Sequence, residues 1–220
     1  MKKQIILRIL ILYPVFICVF LFLPAGSFRF WEAWIYAITL FIPMLTTMLY
    51  LVNKDPALLE RRMKLREKEE KQKIVVRLFR LPFILGFLIP GFDHRFNWSD
   101  VSPVLVIIGN LMVFVAYFWI FLVFRENTYT SRIIEVEKEQ KVISTGPYSI
   151  VRHPMYSGSI VMFLFTPLAL GSWWAFIVFA FIPIILVFRI FDEERVLMKE
   201  LPGYREYCQK IRYRLIPSVW

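Results

Sequence analysis

The residues best equipped for chemistry are Arg152 and His153, which precede Pro154 in the stretch GPYSIVRHPMYSG, residues 146–158. They stand at the mouth of a run, 154–188, that carries no charge over 35 residues. Pro154 suits the first position of a helix, where the amide it lacks would have had no intrahelical partner. A helix starting there aims the N–H groups of Met155, Tyr156 and Ser157 back toward Arg152 and His153, and its dipole adds partial positive charge. Such a corner can bind an anion. Any basic residue would serve as a bare membrane boundary, so a binding role calls for matching polar groups close by.

Candidates for those groups follow in RIFDEERVLMKELPGYREYCQKIRYRLIP, residues 189–217. Arg189 and Glu193 are four apart and share one helix face, while Glu194 turns toward the next. Gly171 and Ser172 break the uncharged run near its middle. A tight hairpin there would bring Arg152, His153 and Tyr156 back beside Arg189 and Glu193. The plain alternative is an interfacial Arg–Glu pair. Ser157, Gly158 and Ser159 suit close helix packing, and Tyr204, Tyr207 and Tyr213 suit an interfacial aromatic belt.

The elements that would carry these residues are membrane helices. The chain is 58% hydrophobic and 18% aromatic with a mean hydropathy of +0.58, beyond the usual composition of soluble domains. Uncharged blocks at 9–23, 33–52 and 101–124 are long enough to approach or cross a hydrocarbon core of ~30 Å. A weaker block, 74–92, has Arg77 and Arg80 near its start, where both can reach the interface. With two helices from the hairpin, the expected fold is an all-α integral membrane protein of about six transmembrane helices. Short amphipathic tail helices are expected at 192–201 and 204–211. The chain has no repeat or linker and reads as one membrane domain, 1–220, with four spans in 1–125. The first apolar run continues without a cleavage site and so is expected to stay attached.

Lys and Arg placement gives the orientation. Lys2, Lys3 and Arg8 precede the first span; nine basic residues lie in 54–77, five in 125–152 and seven in 189–214. The alternate loops hold Arg29 and Arg95 alone. Both termini and the Arg-His corner are therefore expected on the cytoplasmic side. The net charge of +10 is mostly this topology signal, with some attraction for anionic lipid, and its dispersal over separate loops argues against nucleic acid. Acid–base pairs four apart, Glu60/Lys64, Glu67/Lys71 and Glu69/Lys73, suggest an exposed helix. Cys18 and Cys208 imply no disulfide, and His94 and His153, expected on opposite sides, imply no metal.

The stretch TGPYSIVRHPMYSG, the turn PLALGSWW and the segment from Arg189 to Trp220 closely resemble the isoprenylcysteine carboxyl methyltransferase family over about the last 90 residues, from Ile133 on. These integral-membrane enzymes use S-adenosylmethionine, and phospholipid N-methyltransferases are their relatives. The resemblance implies that residues 126–220 form the cofactor-binding core. Gln140, Lys141, Val142, Ile143, Tyr148, His153, Pro154, Met155, Tyr156 and Glu193 would line the cofactor pocket, and Arg189 would meet the substrate. One departure is that a position contributing a polar cofactor contact in the family falls near Ile133 or Ile134.

The physics of methyl transfer suits these residues. The cofactor's carboxylate matches Arg152 and His153 at a helix N-terminus; its amino group and ribose match Glu193, and its sulfonium matches the faces of Tyr148 or Tyr156. A carboxylate nucleophile needs no base and suits a clamp by Arg189. An ammonium nucleophile must lose a proton, for which Glu194 or His153 is available. The expected acceptor is lipophilic, a prenylated cysteine or similar lipid-like acid, met among membrane lipids. Other readings are phospholipid N-methylation, an NADPH-dependent sterol or enone reductase with a similar Arg-His-Pro region, and a membrane scaffold. No G-x-G-x-x-G loop suggests a soluble nucleotide-binding domain.

Overall fold

The computed structural model describes residues 2–63, 70–131, 133–137 and 139–220. All regular structure among them is helical. Helix α1 (Lys2–Ile17) widens into a π-helical turn at Cys18–Phe22 and closes at Leu23–Ala25, where Gly26 takes a left-handed φ of 63°. Helices α2 (Trp31–Lys54), α3 (Pro56–Met63), α4 (Glu70–Phe96) and α5 (Pro103–Glu126) follow. After an irregular stretch and one 3₁₀ turn (Gly146–Ser149) come α6 (Pro154–Ala169), α7 (Trp173–Phe179), α8 (Phe181–Glu200) and α9 (Tyr204–Lys210). Each acid–base pair expected along 60–73 has a member outside the described residues.

Five segments are long and apolar enough to cross a bilayer: Ile6–Ala25, Trp31–Lys54, Lys73–Phe96, Pro103–Glu126 and Trp173–Glu200. The sixth expected span, α6, has 16 residues and reaches only about 24 Å, short of a ~30 Å hydrocarbon core. It is held by partners rather than by length. Helix α5 runs beside it so closely that a Cβ on Gly109 would lie 2.5 Å from the Ala169 nitrogen, and one on Gly158 2.8 Å from Ile120. Asn110 Nδ2 donates to Ala169 O at 3.1 Å, and Trp119 Nε1 to Pro154 O at 2.8 Å. Gly158 therefore has the close-packing role expected of it.

The hairpin turns where the sequence breaks. Gly171 has φ 67°, and the Ser172 side chain caps α7 by accepting from Ala175 N at 3.1 Å. Ser172 Oγ also donates to buried Asp93, which accepts from Ser99 N and Ser99 Oγ at 2.7 Å each, so the turn is fastened to the end of α4. The returning arm differs from expectation. It breaks at Ala180, because Pro183 cannot donate to the carbonyl of Phe179. It then continues through Glu200 as one helix, so 192–201 is the end of α8 and not a separate tail helix. Nothing between Phe188 and Asp192 interrupts the hydrogen-bond ladder, and a change from apolar to charged residues alone does not end a helix.

Candidate active site

Helices α6 and α8 bring the Arg-His corner and the Arg189–Glu193 face together around a narrow polar cleft of about 100 Å³. Its wall includes Gln140, Lys141, Val142, Ile143, Tyr148, Arg152, His153, Pro154, Met155, Tyr156, Arg189 and Glu193. Ile133 and Ile134, each under 8% exposed, make part of the wall apolar. Arg189 Nε–H donates to Tyr156 OH at 3.0 Å, and that hydroxyl donates to Glu193 Oε2 at 2.6 Å. The four-residue spacing on α8 thus sets a guanidinium and a carboxylate on either side of one phenol.

Glu194 is placed differently. One residue further round α8, it lies outside the cleft lining and is 6% exposed. Its Oε1 is 3.3 Å from Arg152 Nε and 3.2 Å from His153 Nε2, and its Oε2 accepts from Arg214 Nε at 2.8 Å. The corner expected to hold an outside anion therefore already holds an internal one. Its backbone is engaged as well: Arg152 N donates to Tyr213 O and His153 N to Arg214 O, both at 2.9 Å, while Ser157 N bonds to His153 O at 3.1 Å.

Tyr204 and Tyr207, 4% and 5% exposed, pack with Leu201 and line the cleft instead of forming an interfacial belt. Their i, i+3 spacing after Gly203 is the signal that could have revealed this shared face. Tyr207 OH donates to Tyr148 O at 2.8 Å. Burial pushes the Tyr148 phenol up to about 12, with hydrogen bonds to Asn127 and Thr130 working against that shift. Two buried polar groups on the wall, Tyr204 OH and Arg152 Nε, make no hydrogen bond among the described residues.

A second, apolar cavity of about 830 Å³ lies between α2, α4, α5, α6 and α8. Among the described residues, Met44, Met48, Phe79, Phe83, Phe163 and Leu186 line it, together with Arg62, Arg80 and Arg189 and no carboxylate. The two spaces share Ser131, Ile133, Met155, Tyr156 and Arg189. Arg62 reaches this shared wall from α3, with its guanidinium 5.1 Å from the centre of the Phe124 ring and its Nη1 3.3 Å from Ser131 O and 3.6 Å from Met155 Sδ. No sequence signal marked Arg62 or Arg80, because the first four spans resemble nothing that assigns them a role. His94 ends α4 beside Asp93 and the Ser172 turn, at the opposite end of α6 from His153. Among the described residues, no group of three or more His, Cys, Asp or Glu side chains could hold a metal.

Residues 104–203 match the phospholipid methyltransferase family. The matched region begins in α5 and ends at the Gly203 turn, enclosing the hairpin and most of the cleft. The chain is also 29% identical over 129 residues, 56% of its length, to protein-S-isoprenylcysteine O-methyltransferase B of Arabidopsis thaliana. It is 31% identical over 84 residues, 37% of its length, to a delta(14)-sterol reductase of Mus musculus. The matches span 61% and 20% of those two relatives. Together, the family match and the plant relative bear out the methyltransferase resemblance read in the last 90 residues.

Proposed function

We propose that the protein is a membrane methyltransferase that uses S-adenosylmethionine to methylate a lipophilic acceptor. The observation that carries this reading is the junction of a polar cleft with an apolar cavity at Met155, Tyr156 and Arg189. A cavity of about 830 Å³ falls within the ~300–1,000 Å³ of small-molecule sites, and its apolar wall suits a long hydrocarbon chain.

The cleft's donor set fits the cofactor. Glu193 can accept from an amino group or ribose hydroxyls, Tyr148 and Tyr156 offer aromatic faces to a sulfonium, and Tyr204 OH is a buried donor without a hydrogen-bond partner among the described residues. Bound there, the cofactor supplies an electrophilic methyl group whose loss leaves a neutral thioether. The basic loops put this end of α6, and both termini, on the cytoplasmic side.

The preferred acceptor is a carboxylate, that of a prenylated cysteine or a similar lipid-like acid. Among the described residues, three arginines and no carboxylate line the apolar cavity, and Arg189 stands at its junction with the cleft, where it can hold an acid oxygen. A carboxylate loses no proton on methylation. An ammonium must, and the two acceptors that the sequence offers, Glu194 and His153, are engaged with each other, Glu194 with Arg152 and Arg214 as well. This weighs against N-methylation of a phospholipid headgroup, although the family's description favours that reading. The sterol reductase relative supports a third, NADPH-dependent reading.

Calorimetric titration of the detergent-solubilised protein with S-adenosylhomocysteine and, separately, NADPH tests the proposal. Micromolar binding of the first alone, lost in Glu193→Ala, is expected. Binding of NADPH alone would move the protein to the reductase class, and binding of neither would leave the corner as a membrane boundary.

A further inference from the structure

Residues 213–220 cross the site as a strap. Tyr213 O and Arg214 O accept from the amides of Arg152 and His153 at 2.9 Å, and Leu215 O accepts from Ser157 Oγ at 2.7 Å, so the strap lies along the start of α6. It folds back on itself. Trp220 O accepts from the amides of Arg214 and Leu215 at 2.9 Å and of Ile216 at 3.1 Å. The Arg214 guanidinium lies over two rings that meet edge to face, 5.4 Å from the centre of Phe191 on α8 and 5.3 Å from that of Trp220. From this position it reaches Glu194 Oε2 at 2.8 Å.

We propose that Arg214 is a positioning residue for the cofactor cleft, aimed by the Trp220 clasp and acting through Glu194 on Arg152 and His153. The inference rests on the methyltransferase reading of that cleft. Glu194 is buried, and each of its oxygens has a separate duty: Oε1 faces Arg152 and His153, and Oε2 is held by Arg214. Removing Arg214 leaves Oε2 buried without its donor. The carboxylate then turns to share its other cations, and the two side chains on the cleft wall lose their fixed anchor. Arg214 and Trp220 lie beyond the matched residues 104–203, so the family description assigns them nothing.

The test compares the full-length wild type with Arg214→Met, Arg214→Lys, Trp220→Ala and Trp220→Phe. S-adenosylhomocysteine affinity is measured by calorimetry, and KM for N-acetyl-S-farnesylcysteine by methyl transfer at saturating cofactor. The expected result is that Arg214→Met and Trp220→Ala weaken S-adenosylhomocysteine by about tenfold or more, as loss of a buried charge partner implies. Trp220→Phe, which keeps a ring over Arg214, retains affinity, and Arg214→Lys is intermediate. KM for the acceptor is expected to stay within about twofold, since residues 213–220 do not line the apolar cavity. Unchanged cofactor affinity in Arg214→Met and Trp220→Ala would overturn the proposal. So would equal losses in cofactor affinity and acceptor KM, which mark general unfolding. If Arg214→Met does not fold, the contrast between Trp220→Ala and Trp220→Phe decides. A wild type that binds no S-adenosylhomocysteine would instead remove the cofactor reading, and the strap's role with it.

Discussion

Arg189→Met is the substitution that separates acceptor recognition from cofactor recognition. It keeps an unbranched apolar stem but deletes the guanidinium at the shared wall of the two cavities. On the protein side it removes the 3.0 Å hydrogen bond from Arg189 Nε to Tyr156 OH, while the 2.6 Å bond from Tyr156 to Glu193 stays. The cleft's carboxylate therefore keeps its partner. On the acceptor side it removes a charge-assisted contact to an acid oxygen, a contact that contributes about 1.5–3 kcal/mol, or roughly 10- to 150-fold in kcat/KM. The assay is transfer of labelled methyl groups to N-acetyl-S-farnesylcysteine, with S-adenosylhomocysteine titrated in parallel. The acceptor's kcat/KM should fall by that factor with cofactor affinity changed less than about threefold. A cofactor affinity that falls as far as acceptor turnover would refute the division of labour between the two spaces. An unaltered kcat/KM would refute the clamp.

Other perturbations test the frame that holds the site. Glu194→Gln keeps shape but leaves the Arg152 and Arg214 charges without their anion. A loss of about 3 kcal/mol is expected in thermal or denaturant unfolding, at the low end for a buried pair because Arg214 is 28% exposed. Gly109→Ala would set a methyl 2.5 Å from the Ala169 nitrogen, where only backbone can yield, and should destabilise by about 1–3 kcal/mol through the α5–α6 seam. The Tyr148 phenol, raised from 10 to about 12, favours the folded state while neutral. Its contribution is fully present below pH 10 and lost as pH rises from 10 toward 12, so the unfolding midpoint of Tyr148→Phe should fall less steeply than wild type across that window.

Much of this architecture was written in local signals. Gly171 and Ser172 marked the turn because an uncharged run of 35 residues is too long for one helix, and the spacing of Arg189 and Glu193 put both on the face that meets Tyr156. The uncharged block at 33–52 lies within α2, and that at 101–124 lies within α5 from Pro103 on. What stayed hidden depended on packing. The end of α8 resembled a tail helix because composition changes there while the backbone does not. Glu194 differs from Glu193 by one step of rotation, and only the position of Arg214 shows which cations it serves. A helix that is apolar all round carries no pattern to distinguish a lipid-facing side from a cavity wall, so the space beside Phe83 and Met48 had no sequence signature.

The shared wall between the two cavities also governs how their contents respond to one another. Met155, Tyr156 and Arg189 form a single layer of side chains, and a shift that makes room on one face changes the shape of the other. Two occupants separated by such a layer are thermodynamically linked. Whatever factor the lipophilic ligand imposes on the affinity of the polar one, the polar ligand imposes the same factor in return. On the proposed reading, product release obeys the same reciprocity, and a prenyl chain that lingers in the apolar space also resets the affinity of the cleft for its next occupant.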